Sequence, residues 1–268
     1  MLNYKDLETK GFIVIPNFFD DSMITNLIKH HNSITNEDSS NPNYHVLNSK
    51  SQLGPYVNPV LNSITENTNI KVNVSLPLST YFNNHKFEFG WHQDHEPYYI
   101  FQNMYNGVQC WIPIIKPNKT EGGLGLIPND VLESRCPDLF KNQILGRGAK
   151  TFKIMPNNTT VMITDDIGGK TLLPFNLEEI AVYPNLEPGD LVVFRQDVIH
   201  KSQPSKSARV AIAVRAFDRD GVIIKEHFLA GPDSKREIIN KNTKAYTKLI
   251  QKFINEGKDN ILISDIIG

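Results

Sequence analysis

Ile70-Lys-Val-Asn-Val-Ser-Leu-Pro-Leu78 is the stretch that decides the fold class. Its apolar residues Ile70, Val72, Val74, Leu76 and Leu78 alternate with Lys71, Asn73 and Ser75, the period-two pattern of a strand buried on one face. Downstream, further short strands are predicted at 107–115, 124–127, 159–164, 179–183, 191–194 and 209–217, separated by Gly, Pro and Asn turns and not by regular helices. That succession favours an antiparallel sandwich or jelly roll over a parallel α/β sheet. Upstream, Gly11-Phe-Ile-Val-Ile-Pro16 suits a short buried strand. Asp20, Asp21 or Ser22 then caps a helix whose apolar stripe is Met23, Ile24, Leu27 and Ile28. At the far end Ser234-Lys-Arg-Glu237 is a capping box, Ile239, Tyr246, Leu249, Ile250 and Phe253 form a stripe, and Gly257 stops the helix. The polar stretches 36–52 and 130–150 read as surface loops.

The expected architecture is mainly β with flanking helices: one domain over 1–268, its jelly-roll core at about 70–218. The 268 residues suffice for a large core, and 40% hydrophobic with 21% charged residues is ordinary globular composition. Lys and Arg number 28 against 29 Asp and Glu, so no basic excess points to nucleic acid. Two cysteines are too few for a disulfide framework. There is no signal peptide pattern at the start and no apolar run of the roughly 18 residues a membrane helix needs. A cytoplasmic protein acting on a small molecule is the expectation, and the oligomeric state is not legible.

The densest chemical signal is Phe89-Gly-Trp-His-Gln-Asp-His-Glu96. His92 and Asp94 stand two apart, so on an extended segment both side chains leave one face and reach one ion. Two His and one carboxylate on one side of a metal is the arrangement of non-haem Fe(II) oxygenases, and His200 is the candidate third ligand. It lies just past the strand at 191–194, which follows the turn Pro188-Gly-Asp190. In Arg209-Val-Ala-Ile-Ala-Val-Arg215, the residues Arg209, Ala211, Ala213 and Arg215 share a face. A guanidinium among alanines has room for an anionic ligand, while an ion pair to Asp190 or Asp218 is the plainer role, above all for Arg215. His95 would point to the opposite face. Glu96, Tyr98, Tyr99, Gln102, Asn106 and Gln109 suit the wall of a polar substrate pocket, or equally an exposed hairpin.

These pieces together resemble the phytanoyl-CoA dioxygenase-like family of Fe(II)/2-oxoglutarate oxygenases, built on a double-stranded β-helix. The resemblance is carried by Gly11-Phe-Ile-Val-Ile-Pro-Asn-Phe-Phe19, Trp91-His-Gln-Asp94, Gly122-Gly-Leu-Gly-Leu-Ile-Pro128, Gly189-Asp-Leu-Val-Val-Phe194 and the spacing of His200 and Arg209. It implies His92, Asp94 and His200 as iron ligands and Arg209 as the clamp for the distal carboxylate of 2-oxoglutarate. Ser202 assists that clamp and Trp111 contacts the cosubstrate, unless Trp111 is a core aromatic. Two departures stand out. The interval between His200 and Arg209 is short for the family, which makes Arg215 the understudy, and Pro128-Asn-Asp130 replaces the family's Pro-Gly-Ser-His. Halogenating members carry Gly or Ala at the carboxylate position, so Asp94 implies oxygenation: 2-oxoglutarate and O2 become succinate and CO2, and a small, polar metabolite is hydroxylated. The alternatives are a cupin-like metal-dependent hydrolase or isomerase, or a non-catalytic ligand-binding relative.

Overall fold

In the computed structural model of the chain, the described residues are 3–37, 44–46, 54–75, 81–84, 88–94, 105–164, 169–207, 209–229 and 251–267. A short helix α1 (Lys5–Thr9) leads into β1 (Phe12–Ile15) and α2 (Asp21–Glu37). Asp20 caps α2, its Oδ1 accepting from the Met23 amide at 2.8 Å. Then follow β2 (Tyr44–Val46), α3 (Gly54–Asn67), β3 (Val74–Ser75), β4 (Tyr81–Asn84), β5 (His92–Gln93), β6 (Gly107–Ile115) and β7 (Leu124–Leu126). Beyond helix Asn129–Arg135 come β8 (Lys150–Ile154), β9 (Thr160–Thr164), β10 (Lys170–Leu173), β11 (Leu191–Arg195), β12 (His200–Ser202) and β13 (Val210–Phe217), with a small pair β14 (Val222–Ile224) and β15 (Asn260–Leu262) at the end.

Among the described residues one sheet runs β1-β11-β6-β13-β4-β2, with β3 on β13, and a second runs β10-β9-β8-β5-β12-β7. Every pairing between these strands is antiparallel. The chain crosses between the sheets at β4–β5, β5–β6, β6–β7, β10–β11, β11–β12 and β12–β13, which is jelly-roll winding.

Alternation along the strands sorts their side chains into layers. Val108, Cys110, Ile112 and Ile114 of β6 and Val210, Ile212 and Val214 of β13 pack outward against Ile24 of α2 and Val57, Leu61 and Ile64 of α3. Trp111, Val192, Phe194 and Ala211 from the first sheet meet Leu124 and Leu126 of the second between the sheets. The second sheet's outer face, with Trp91, Phe152 and Met162, is covered by Leu132, Phe140 and Ile144. At the turn before β11, Gly189 has φ 94°, and a Cβ there would lie 2.4 Å from the Phe19 carbonyl oxygen, so only glycine fits.

Several expectations are corrected. The segment 179–183 is no strand: a 3-10 turn Leu177–Glu179 precedes it and Val182 makes a single bridge to Leu126. Of residues 130–150, those up to 144 are largely helical, through Asn129–Arg135, Pro137–Leu139 and Phe140–Ile144, because Leu132, Phe140 and Ile144 bury against the second sheet, while 145–149 form the expected loop. The stretch 36–52 holds the end of α2 and β2. Of the run from Ile70, Ile70 and Val72 are buried but only Val74–Ser75 is strand; residues 76–80 are outside the described set. The stripe and capping box expected over 234–250 also lie outside it, while Phe253 is fully buried and Gly257 has φ 67°, the left-handed conformation of a helix stop. No described helix is long and apolar enough to cross a membrane.

Candidate metal centre

The sheet itself sets the two histidines side by side. β5 pairs with β12 through His92 and His200, with ring centroids 4.3 Å apart. Asp94 follows on the same face as His92, and ligating atoms of His92, Asp94 and His200 lie within 4.8 Å of one another. His92 Nδ1 faces the Gly90 carbonyl at 2.8 Å and His200 Nδ1 faces the Val198 carbonyl at 3.0 Å. A carbonyl only accepts, so each Nδ1 carries the hydrogen and each Nε2 lone pair is left for the centre. Both Nε2 atoms face Asp94 Oδ1, at 3.1 Å from His92 and 3.5 Å from His200. Two imidazole nitrogens and one carboxylate oxygen thus converge on one point, and this donor set fits a divalent first-row metal.

Electrostatics prepare the same state. Burial pushes His200 down to about 4, assisted by His92 and opposed by Asp94, so the imidazole is neutral near neutral pH. Burial alone would raise the Asp94 carboxyl, but Arg215 and the two histidines hold it well below the usual carboxylate range. Arg215 Nη2 donates to Asp94 Oδ2 at 2.7 Å. Arg215 therefore pairs neither with Asp190, which accepts from the Asn17 and Glu187 amides, nor with Asp218, which accepts from Asp220 N. Its place opposite a ligand, in the row that Gln109 and Phe194 continue by register, makes it the counter-charge of Asp94.

Gln93 points to the other face and is buried, its Nε2 donating to the carbonyls of Asp197 at 2.6 Å and Ile144 at 3.2 Å. Asp197 is in turn clasped by Arg195, whose Nε donates to Asp197 Oδ1 at 2.9 Å, and by the Gly146 amide at 2.8 Å. The ion pair fixes the β11–β12 turn that delivers His200. On the outer surface Trp91 Nε1 donates to Glu178 at 3.0 Å, and Glu178 also receives Lys201 and Tyr183. Phe89 and Phe194 lean on the two histidine rings at 5.4 and 4.8 Å.

Arg209 sits at the start of β13, just before the bulge between Val210 and Ala211, and is 1% exposed. Its Cδ lies 3.0 Å from where a Cβ on Gly122 would stand, so the Gly122-Gly123 bend makes room for it. Lys116 is half-buried nearby, and burial together with Arg209 pushes it down to about 8. Ser202 is buried, two residues after His200, and its Oγ accepts from the Phe89 amide at 3.2 Å. Trp111 stands in the layer between the sheets, in register with Val192 and Ala213. Gln109 is on the same face, in register with Phe194 and Arg215. Asn106 lies beside the turn at 218–221, its carbonyl accepting from Asp218 N at 2.9 Å. Tyr98 and Gln102, with His95, Glu96 and Tyr99, fall outside the described residues. Sequence reading missed Gln93 and the Arg195–Asp197 clasp; a buried-strand pattern interrupted by polar residues at 93, 195 and 197 was the available signal.

Fold and site together define a cupin-type jelly roll with one buried centre of two histidines and a carboxylate. The chain belongs to the phytanoyl-CoA dioxygenase (PhyH) family, whose profile matches residues 29–213. No curated protein sequence matches the chain. Among solved structures it is similar to EctD from S. alaskensis in its apoform, with 14% identity over 85% of this chain and 80% of that one and a TM-score of 0.55. It is also similar to the epimerase SnoN in complex with Fe3+, alpha ketoglutarate and nogalamycin RO, with 8% identity over 82% and 84% and a TM-score of 0.54. EvdO2 from Micromonospora carbonacea var. aurantiaca shows 15% identity over 80% and 89%, with a TM-score of 0.50.

Proposed function

We propose that the chain is an Fe(II)- and 2-oxoglutarate-dependent oxygenase that hydroxylates a small, polar metabolite, with 1–268 acting as one catalytic domain. The observation that carries this reading is the convergence of His92, Asp94 and His200 with both Nε2 lone pairs turned to one point. Support comes from the neighbours: SnoN is crystallised with Fe3+ and alpha ketoglutarate, and EctD with 2-oxoglutarate and 5-hydroxyectoine.

When bound, iron and 2-oxoglutarate supply the oxidation that turns 2-oxoglutarate and O2 into succinate and CO2 and delivers one oxygen atom to the substrate. His92, Asp94 and His200 would hold the metal. The Gly90 and Val198 carbonyls keep the imidazole protons on Nδ1, and Arg215 keeps Asp94 deprotonated with Oδ2 engaged. Arg209 pairs with the distal carboxylate, Ser202 stands beside that clamp and Trp111 borders the cosubstrate, while the small Ala211 and Ala213 leave it space along β13. Tyr98, Gln102, Asn106 and Gln109 serve the substrate. Phe194 packs on His200 and helps to keep it buried.

The reading is tested by supplying Fe(II), ascorbate, air and 2-oxoglutarate and measuring succinate. It requires succinate from the wild type, none from His200→Ala, and a substrate product heavier by one oxygen. No succinate from iron-loaded wild type across a panel of amino acids and related polar metabolites counts against it.

A further inference from the structure

Gln109 is a buried amide whose Nε2–H finds no hydrogen-bond partner among the described residues. The side chain is 6% exposed. A buried donor left unpaired is costly, and such groups in a folded protein mark strain or a ligand. Alternation along β6 turns Gln109 to the inner face with Trp111, while Val108 and Cys110 pack outward. Its register neighbours fix where it stands relative to the centre. Phe194 on one side leans on His200 at 4.8 Å, and Arg215 on the other holds Asp94 at 2.7 Å. Gln109 is therefore the middle of the row that faces the metal ligands from the opposite sheet.

Arg209 and Arg215 lie at opposite ends of the inner face of β13, six residues or about 20 Å apart on an extended strand. A cosubstrate with its far carboxylate at Arg209 would lie along the Ala211–Ala213 stretch of the inner face. The Gln109 end is the remaining side, and there the floor offers a ligand the Gln109 amide N–H.

We propose that Gln109 is the specificity-determining residue for the substrate, binding a carboxylate carried by a small organic acid such as an amino acid. The proposal rests on the oxygenase reading above and narrows its substrate class. The amide donates through Nε2 to one carboxylate oxygen next to the Arg215 guanidinium, and the bond that the free protein lacks forms when substrate enters.

One test uses the anaerobic complex of the protein with Fe(II) and 2-oxoglutarate, followed by its visible charge-transfer absorption. Matched pairs of amino acids and their primary amides, L-leucine with L-leucinamide and so on through the amino acids, are titrated in. The expected result is at least one acid that shifts the band at a concentration tenfold or more below its amide, a preference that falls at least tenfold in Gln109→Glu. Equal response to acid and amide, no response to any acid, or an unchanged preference in Gln109→Glu overturns the proposal. Absence of the band before any acid is added is instead a failure of the oxygenase reading. A second measurement needs no ligand: thermal unfolding of metal-free Gln109→Leu. Removing an unpaired donor should raise the midpoint by roughly 2–4 °C, the scale of one buried polar group in a chain of this size. An unchanged or lowered midpoint marks Gln109 as a structural residue and overturns the assignment.

Discussion

Arg215 Nη2 and Asp94 Oδ2 stand 2.7 Å apart across the space between the two sheets, joining the far end of β13 to the carboxylate that follows β5. Because Oδ2 is taken by the guanidinium, Oδ1 is the oxygen turned to His92 and His200. One charge pair thus sets both the ionisation and the orientation of the carboxylate.

Arg215→Met leaves Asp94 buried and uncompensated. The metal-free protein should lose about 3–5 kcal/mol of stability, the usual consequence of removing one partner of a buried pair. Denaturant unfolding checks it, and a saturating divalent metal should restore part of the loss by compensating Asp94 directly.

Stability of the metal-free protein should fall as the solution is acidified from about pH 6.5 towards 4. His200 in the folded chain titrates near 4, against 6.5 for an ordinary imidazole, so the unfolded chain takes the proton first. In that window the unfolded state binds more protons, and folding stability rises with pH. Asp94, held well below its ordinary value, adds a loss in the same direction at lower pH. Thermal unfolding as a function of pH should show a shallower acid limb in His200→Gln.

Arg209→Lys should weaken 2-oxoglutarate binding by on the order of 1–3 kcal/mol, since an ammonium cannot reproduce a two-pronged pairing with a carboxylate. Titration of the anaerobic iron protein measures it. Unchanged affinity would remove Arg209 from the clamp.

Gln93→Leu removes the bonds to the Asp197 and Ile144 carbonyls that tie the His92 strand to the turn before His200. The expected cost is about 1–3 kcal/mol of stability, with weaker metal binding measured by equilibrium dialysis.

What the sequence disclosed follows from where the information is local. Alternation along 107–115 and 209–217 made strands β6 and β13 legible, and the two-residue spacing of His92 and Asp94 placed them on one face. Helix α3 escaped because Pro55 and Pro59 stand in it. Pro55 falls at the first turn, where the missing amide costs nothing, and burial of Val57, Val60, Leu61 and Ile64 outweighs the bond lost at Pro59. Strand β5 is two residues long and carries no pattern of its own; its pairing with His200 and Thr151 makes it a strand. The partner of Arg215 was hidden for a similar reason, since its contact with Asp94 spans 121 positions of chain and arises only when the sheets face each other.

The central claim is that His92, Asp94 and His200 form one iron site, and anaerobic equilibrium dialysis with Fe(II) tests it most directly. The account predicts one iron per wild-type chain and little bound iron in His92→Ala, Asp94→Ala or His200→Ala proteins that remain folded, because two remaining ligands make a poor chelate. Full iron occupancy in folded His200→Ala would contradict it.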